Sequence, residues 1–292
     1  MAEFIMTIGT EPGLISHYLK FNLHYQMNCV ICNSPTKPFL SKNFIQFDLG
    51  KIDYVKCVNC GFVISKTHYE MTDAEWENLN QKWVSLYQGS DFNPEDPRWM
   101  ERLNNQANII GDIAELGLLP AGDWLDYGAG DGKLADALKQ RFNLDFNKYE
   151  HSSNRKDYLS DEGLRPGRFS FLLNTSVMEH LRSRAALDGL FDLMSKNGVM
   201  GIHTLVMENI PHDTEWFYLL SVHCSFYTNM AMQILFEQKG YTCSIYNVAS
   251  RLWFWFKQPA EAIKPAIEQA NKRNKGEFYH YIFKEGFVDY WK

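Results

Sequence analysis

Four cysteines stand in two short pairs, Cys29-Val30-Ile31-Cys32 and Cys57-Val58-Asn59-Cys60. Two residues between thiolates let one tight turn aim both sulfurs at a single ion. Two such turns supply the four ligands of a tetrahedral Zn²⁺ site. Asn33-Ser34-Pro35 after the first pair and Gly61 after the second carry the turn chemistry. Between the pairs, Phe44 to Phe47 and Asp53 to Lys56 read as short strands bounded by Gly50, which makes a zinc-ribbon pattern. Iron fits the same four thiolates, so the metal stays open between zinc and iron. Four thiolates leave no open position, so the expected role is structural. A single redox pair would not need the second. Cys224 and Cys243 are isolated and read as plain buried thiols.

A second set of residues points to a nucleoside. Asp123-Trp124-Leu125-Asp126-Tyr127 reads as a strand that ends in Gly128-Ala129-Gly130-Asp131-Gly132 and enters a helix at Lys133. Glycines there let the backbone pass close to a ligand and tolerate positive φ. The next strand, Leu144 to Tyr149, stops at Glu150, and an acid about twenty positions beyond such glycines is placed to accept from ribose hydroxyls. The turn is Gly-x-Gly-x-Gly after an Asp, which departs from the pyrophosphate cradle of dinucleotide sites. No Gly-Lys-Ser/Thr follows it. Asp126 would repel a phosphate and favour a cation, so a sulfonium-bearing, phosphate-free nucleoside fits.

These residues resemble the first motif and the ribose-binding acid of class I S-adenosylmethionine-dependent methyltransferases. Phe169 to Leu181, with Asn174, Thr175 and the following Glu179-His180-Leu181, resembles the family's fourth strand. Lys196 to His203 resembles its turn into strand five. The resemblance covers roughly residues 100 to 257. It implies a seven-stranded Rossmann-like α/β sheet and a cofactor site at Asp126, Tyr127, Gly128, Ala129, Gly130, Gly132, Glu150, Asn174 and Thr175. Ser170 stands where the family usually has Asp, and the interval from Glu150 to Phe169 leaves little room for a full third strand. Asp157, Tyr158 and Leu159 are the candidates for the adenine end.

Methyl transfer from a sulfonium is an in-line displacement helped by positioning, and a hydroxyl or carbon acid acceptor also needs a general base. Pro211 to Tyr218 and Val222 to Thr228 lie in a connection that crosses the open end of such a sheet. His223, among aromatic residues, is the base candidate, with Tyr218 and Tyr227 as orienting hydroxyls; the alternative is a histidine that caps the following helix. His212 and Asp213 read as a surface loop, and His180 as packing beneath the cofactor. A four-cysteine module ahead of the core and a His-x-Ser-Phe-Tyr segment after strand five resemble the zinc-containing branch that modifies sugars in bacterial glycan and antibiotic pathways. Sugar C-methyltransferases have this arrangement together with a large C-terminal domain, whereas about 35 residues follow Lys257 here. That favours O-methylation of a saccharide or nucleotide-sugar.

The elements that must hold these residues follow from patterning. Thr72-Asp73-Ala74-Glu75 is a capping box that opens a helix through Trp76, Leu79, Trp83 and Tyr87. Gly89, Pro94 and Pro97 break the chain before a second helix from about Trp99 to Leu116. Tyr241 to Val248 and Leu252 to Lys257 read as a terminal antiparallel hairpin, followed by a helix from about Pro259 to Asn274. The aromatic tail, with Phe278, Tyr279, Tyr281, Phe283, Phe287, Tyr290 and Trp291, must pack on the body or on a second subunit of a homodimer. The expected organisation is a zinc-ribbon module over 1–68, a helical linker or lid over 69–118, a methyltransferase core over 119–257, and a C-terminal helix and tail over 258–292.

Composition sets the outer bounds. The 292 residues carry 29 basic and 35 acidic side chains, a formal net charge of −6, which gives little attraction for nucleic acid. No run reaches the ~18 apolar residues of a spanning helix and no secretion signal is read at the start, so a cytoplasmic enzyme without a membrane partner is expected. The leading expectation is methylation of a small-molecule, sugar-like acceptor. Methylation of RNA or another macromolecule, or a non-catalytic cofactor-binding role, are the alternatives.

Overall fold

The computed structural model describes residues 27–87, 97–151, 153, 155–274, 276 and 279–289. Two sheets organise the chain. The larger has seven strands in the order β12-β10-β11-β7-β6-β4-β5. Here β4 is Asp123–Tyr127, β5 Asn147–Tyr149, β6 Phe169–Thr175, β7 Met194–His203, β10 Cys243–Asn247, β11 Leu252–Phe256 and β12 Tyr281–Glu285. The four strands from β5 through β7 run parallel, and β11, β10 and β12 continue the sheet antiparallel. Its central strands are nearly continuous apolar runs, as burial on both faces demands: Leu125, Phe171, Leu172, Leu173, Phe254 and Trp255 are all fully buried.

The expected hairpin is β10 and β11, paired from Cys243–Phe256 to Asn247–Leu252. The seventh strand comes from elsewhere. Among the described residues, the interval between β5 and β6 holds a single helical turn, Asp161–Gly163, and no strand. The sheet instead gains β12 on the opposite edge, where Phe283 pairs with Ile245. This answers where the tail packs: Phe287 and Val288 are buried on the body, and Trp253 Nε1 donates to the Val288 carbonyl at 3.0 Å. Phe278, Tyr290 and Trp291 lie outside the described residues, as do Gly89 and Pro94.

Helices cover the sheet. The α3 helix (Pro97–Glu115) buries Leu103, Ile109, Ile110 and Ile113 against one face, together with α4 (Lys133–Phe142) and α7 (Ala260–Arg273). Gly111 permits this packing, because a Cβ there would meet the Phe142 ring at 2.5 Å. On the other face lie α5 (Arg184–Asp192) and α6 (Asn229–Gln238), with Leu187, Leu190, Leu235 and Phe236 in a core that also contains Trp255 and Phe287.

The smaller sheet, in the order β1-β2-β3-β9-β8, is built from two distant parts of the chain. Its first three strands, β1 (Thr36–Phe44), β2 (Gly50–Cys57) and β3 (Val63–Ser65), belong to the cysteine region, and β8 (Val206–Met207) and β9 (Ser225–Thr228) follow β7. Val63 pairs with Phe226 and Ile64 with Ser225. The strand expected at Phe44 to Phe47 ends at Phe44, because Gln46–Asp48 is a helical turn with Phe47 at φ 62° and reverses the chain. After β3 come the short α1 (Lys66–Glu70) and α2 (Asp73–Tyr87). The capping box forms as expected, with Glu75 N–H donating to Thr72 Oγ1 at 3.3 Å and Thr72 N–H to Glu75 Oε2 at 2.8 Å.

Candidate active site

At the carboxyl end of β4 the chain turns through Gly128 and Ala129, whose N–H groups donate to the Tyr149 carbonyl at 2.8 and 2.9 Å. Gly128 has φ +73°, and a Cβ there would stand 2.4 Å from Val177 Cγ2, so no other residue fits without displacement. Gly130 N–H donates to Glu150 Oε2 at 3.0 Å, which brings the acid across the glycine turn. Asp126 is buried beneath the turn and its Oδ1 has no hydrogen-bond partner among the described residues. Burial, with Glu150 adding to it and Lys148 opposing, pushes its carboxyl up to about 7. An orphaned buried carboxylate oxygen below a glycine turn suits a cationic ligand rather than a phosphate.

This turn forms one wall of a cavity of about 840 Å³. Asp126, Tyr127, Gly128, Ala129, Gly130, Glu150 and Thr175 line it, while Gly132 and Asn174 do not. Gly132 caps α4 at φ 82°, and Asn174 lies below the floor, its amide donating to the Gly201 carbonyl at 3.1 Å. Asp157, Tyr158 and Leu159 sit outside the cavity lining; the Tyr158 hydroxyl donates to the Gly130 carbonyl at 3.0 Å and braces the turn from behind. The opposite wall is α2, with Trp76, Asn80 and Trp83, joined by Trp99 and Arg102 of α3. Arg182 ties down the start of α2: it pairs with Asp73 and donates to the carbonyls of His68, Tyr69 and Met71.

The turn after β6, Met178–His180, closes the cavity floor, and β9 clamps it. Cys224 N–H donates to the Glu179 carbonyl at 2.9 Å, Ser225 Oγ to the Leu181 carbonyl at 2.6 Å, and the Tyr227 hydroxyl to the Met178 carbonyl at 3.2 Å. Tyr227, an expected orienting hydroxyl, is thus a buried brace packed on Phe62. His223 and Tyr218 do converge, on Glu179 and His180. The Tyr218 hydroxyl donates to Glu179 Oε1 at 2.6 Å and Thr204 Oγ1 to Glu179 Oε2 at 2.9 Å. His223 Nδ1 donates to the Tyr218 carbonyl at 2.9 Å, and its ring stands edge-on to His180 with centroids 5.0 Å apart.

His223 is not part of the cavity lining; His180 is. The imidazole that faces the cavity is therefore His180, expected to pack beneath the cofactor. Its position directly after β6, at the carboxyl end of a parallel strand, was the available signal. Burial holds both imidazoles at about 4, below the usual range, so both are neutral at pH 7. Burial and the Glu179 carboxylate raise the Tyr218 hydroxyl well above its ordinary value, which keeps it a donor. His212 lies away from this group, against the Phe39 carbonyl of β1.

The four cysteines gather beside the end of β2, whose last residue is Cys57. Cys29 and Cys60 sulfurs are 3.7 Å apart, Cys32 and Cys57 3.4 Å, and Cys32 and Cys60 3.7 Å. Four ligands at metal–sulfur bonds of about 2.3 Å stand about 3.8 Å apart in a tetrahedron, so the spacing fits a Zn²⁺ ion. The N–H groups of Ile31, Asn59 and Cys60 point at these sulfurs, each at 3.4 Å.

Residues 100–244 match the family model described as a methyltransferase domain. The chain carries a methyltransferase domain. It is an S-adenosylmethionine-dependent methyltransferase, and the glycine turn and Asp126 fall within the matched residues, whereas the α2 wall of the cavity precedes them. No curated protein matches the sequence. Among solved structures, the chain is similar to one in the complex between the Haloferax volcanii Trm112 methyltransferase activator and a methyltransferase (16% identity, 55% of this chain and 75% of that one, TM-score 0.39). It is also similar to mitomycin 7-O-methyltransferase (15% identity, 62% and 66%, TM-score 0.39). A third is an S-adenosylmethionine-dependent methyltransferase from Thermotoga maritima (15% identity, 58% and 98%, TM-score 0.35).

Proposed function

We propose that the enzyme methylates a hydroxyl of a small polar acceptor, a saccharide or nucleotide-linked sugar, held between the glycine turn and α2. The observation that carries this reading is the cavity itself. One wall is the cofactor turn, the facing wall presents Trp76 and Trp83, and His180 reaches it from the floor. Flat indole faces suit the apolar faces of a sugar ring, and a cavity walled by a helix suits a small molecule better than a polymer. Asp126, Tyr127, Gly128, Ala129, Gly130, Glu150 and Thr175 hold the cofactor, with Gly132 and Asn174 supporting the turn and the floor. The acceptor's proton leaves through the cluster of His180, His223, Glu179 and Tyr218, with His180 in place of His223 as the group that meets the acceptor. Cys29, Cys32, Cys57 and Cys60 hold a structural Zn²⁺ that fixes the small sheet, and through β9 the floor.

The test is a panel of free and nucleotide-linked sugars incubated with enzyme and isotopically methyl-labelled cofactor, read by mass spectrometry. Label in a sugar hydroxyl, abolished in His180→Gln with cofactor binding retained, supports the reading. Label in RNA or protein instead of any sugar would replace it with the macromolecular alternative.

A further inference from the structure

Three donor groups meet at the cavity floor in a manner that general base catalysis does not require. One ligand-type atom from each of Glu179, His180 and His223 lies within 4.8 Å of the other two. The other polar atoms of His223 and Glu179 are engaged elsewhere. His223 uses Nδ1–H on the Tyr218 carbonyl, which leaves a lone pair on Nε2. His180 Nδ1 is shielded from solvent and has no hydrogen-bond partner among the described residues. Glu179 is oriented by two hydroxyls, from Tyr218 and Thr204.

A buried imidazole nitrogen without a hydrogen-bond partner is rare, because it has been desolvated with nothing in return. Metal-binding histidines, in contrast, typically give their other N–H to a carbonyl or carboxylate, and ligating carboxylates are themselves hydrogen-bonded. Both features are present here, the first on His223 and the second on Glu179. Two imidazoles with one carboxylate select a transition ion over Mg²⁺ or Ca²⁺, which prefer all-oxygen sets.

We propose that Glu179, His180 and His223 bind a divalent transition metal ion of the Zn²⁺ class, distinct from the four-cysteine site. Bonds of about 2.1 Å set tetrahedral ligands about 3.4 Å apart, so side-chain rotations of about an ångström close the site. Because His180 lines the cavity, the open fourth position belongs to a ligand from that side. This role rests on the reading of the cavity as the methyl-transfer site; binding of the ion does not. An acceptor hydroxyl bound to the ion loses its proton to solvent near neutral pH. Its oxygen then attacks the sulfonium methyl: the O–C bond forms, the C–S bond breaks, and sulfur keeps the electron pair as neutral S-adenosylhomocysteine. His180 then acts as a ligand rather than as a free base.

Cobalt distinguishes the two sites. Purified full-length protein is titrated with Co²⁺ while its visible spectrum is recorded, in parallel with His180→Gln and His223→Gln. The four-cysteine site reports by intense thiolate-to-cobalt charge transfer, and a nitrogen–oxygen site by weak d–d bands alone. The expected result is a weak-band equivalent in the native protein that both variants lose while the charge-transfer band persists, which also shows that they remain folded. Elemental analysis of zinc-loaded protein then gives two equivalents for the native chain and one for either variant. A spectrum with thiolate character only, or a second equivalent that survives both substitutions, would overturn the proposal. Calorimetry with S-adenosylhomocysteine on the same samples keeps the readings apart, because its failure counts against the cavity assignment and not against the ion.

Discussion

The two walls of the cavity are built by different means. The cofactor wall is a single strand–turn–helix unit, from β4 through the glycine turn into α4, braced by the Tyr149 carbonyl of the next strand. Its shape is set by backbone hydrogen bonds and by φ values that only glycine holds without strain. The facing wall and the floor, where the acceptor is proposed to sit, draw on three separate stretches: α2, the turn after β6, and the connection from β8 to β9. They meet because β9 pairs with β3 and clamps residues 178–181. One wall is therefore preorganised locally for a constant ligand. The other is assembled by side chains and can change with the acceptor.

If that division holds, substitutions on the two walls should separate binding from turnover. The largest effect belongs to His180→Gln. Removing the group that receives the acceptor's proton, directly or through an ion, should lower kcat by about 10²–10⁴-fold. The affinity for S-adenosylhomocysteine should stay within a factor of about two or three, about 0.5 kcal/mol, as for a substitution that touches no cofactor contact. Equal loss in both quantities would mean that the walls are not independent.

Gly128→Ala comes next and should act on the other wall. A left-handed alanine costs about 1–2 kcal/mol, and overlap with Val177 adds about 1–3 kcal/mol. Cofactor affinity should fall by at least tenfold in calorimetry. Unchanged affinity would show that the cofactor does not rest on this turn.

Acid should weaken the framework that joins the walls. His68 is held at about 4 and His203 at about 3, both chiefly by burial, against 6.5 for an ordinary histidine. Above pH 6.5 neither folded nor unfolded chain is protonated there, so their contribution is fully present. Below it the unfolded chain takes up protons that the folded chain refuses, and stability falls toward pH 4 by up to about 1.4 kcal/mol per pH unit for each residue. Asp126 works in the opposite sense, since its raised value gives the folded state a proton between 3.8 and about 7. The net expectation is a urea midpoint that drops from pH 7 to pH 5, with a shallower drop in His68→Gln. A flat midpoint would remove this account of the buried histidines.

Arg182→Met should give the smallest change. It frees the start of α2 from Asp73 and from three carbonyls; contacts of a charged group to buried carbonyls are each worth about 1.5–3 kcal/mol, and the pair with the fully exposed Asp73 adds little. The acceptor KM should rise several-fold while cofactor affinity holds. A loss of cofactor affinity instead would place α2 on the cofactor side.

Much of this was legible in the sequence where the chemistry is local. The cysteine pairs, the capping box at Thr72, the hairpin at 243–256 and the glycine turn each depend on residues a few positions apart. The acceptor floor was only half legible. His223 and Tyr218 were singled out, but their meeting with Glu179 and His180 depends on the pairing of β3 with β9, which no local pattern encodes. The tail showed its need for burial in its aromatic content but not its strand, because β12 alternates Tyr281, Phe283 and Glu285 on a sheet edge where half the positions face solvent. Phe47 shows the converse: an apolar run that favours a strand by composition is turned by a left-handed backbone.

The central claim is that S-adenosylmethionine occupies the cavity above Asp126. The direct measurement is calorimetric titration of the native protein and Asp126→Asn with this cofactor at pH 7, in two buffers of different ionisation enthalpy. A cationic ligand should draw the carboxyl, poised at about 7, into its charged form. The account predicts saturable binding coupled to release of up to about half a proton, with the coupling absent in the variant. Saturable binding with no buffer dependence would place the cofactor away from Asp126, and no binding by folded protein would contradict the account outright.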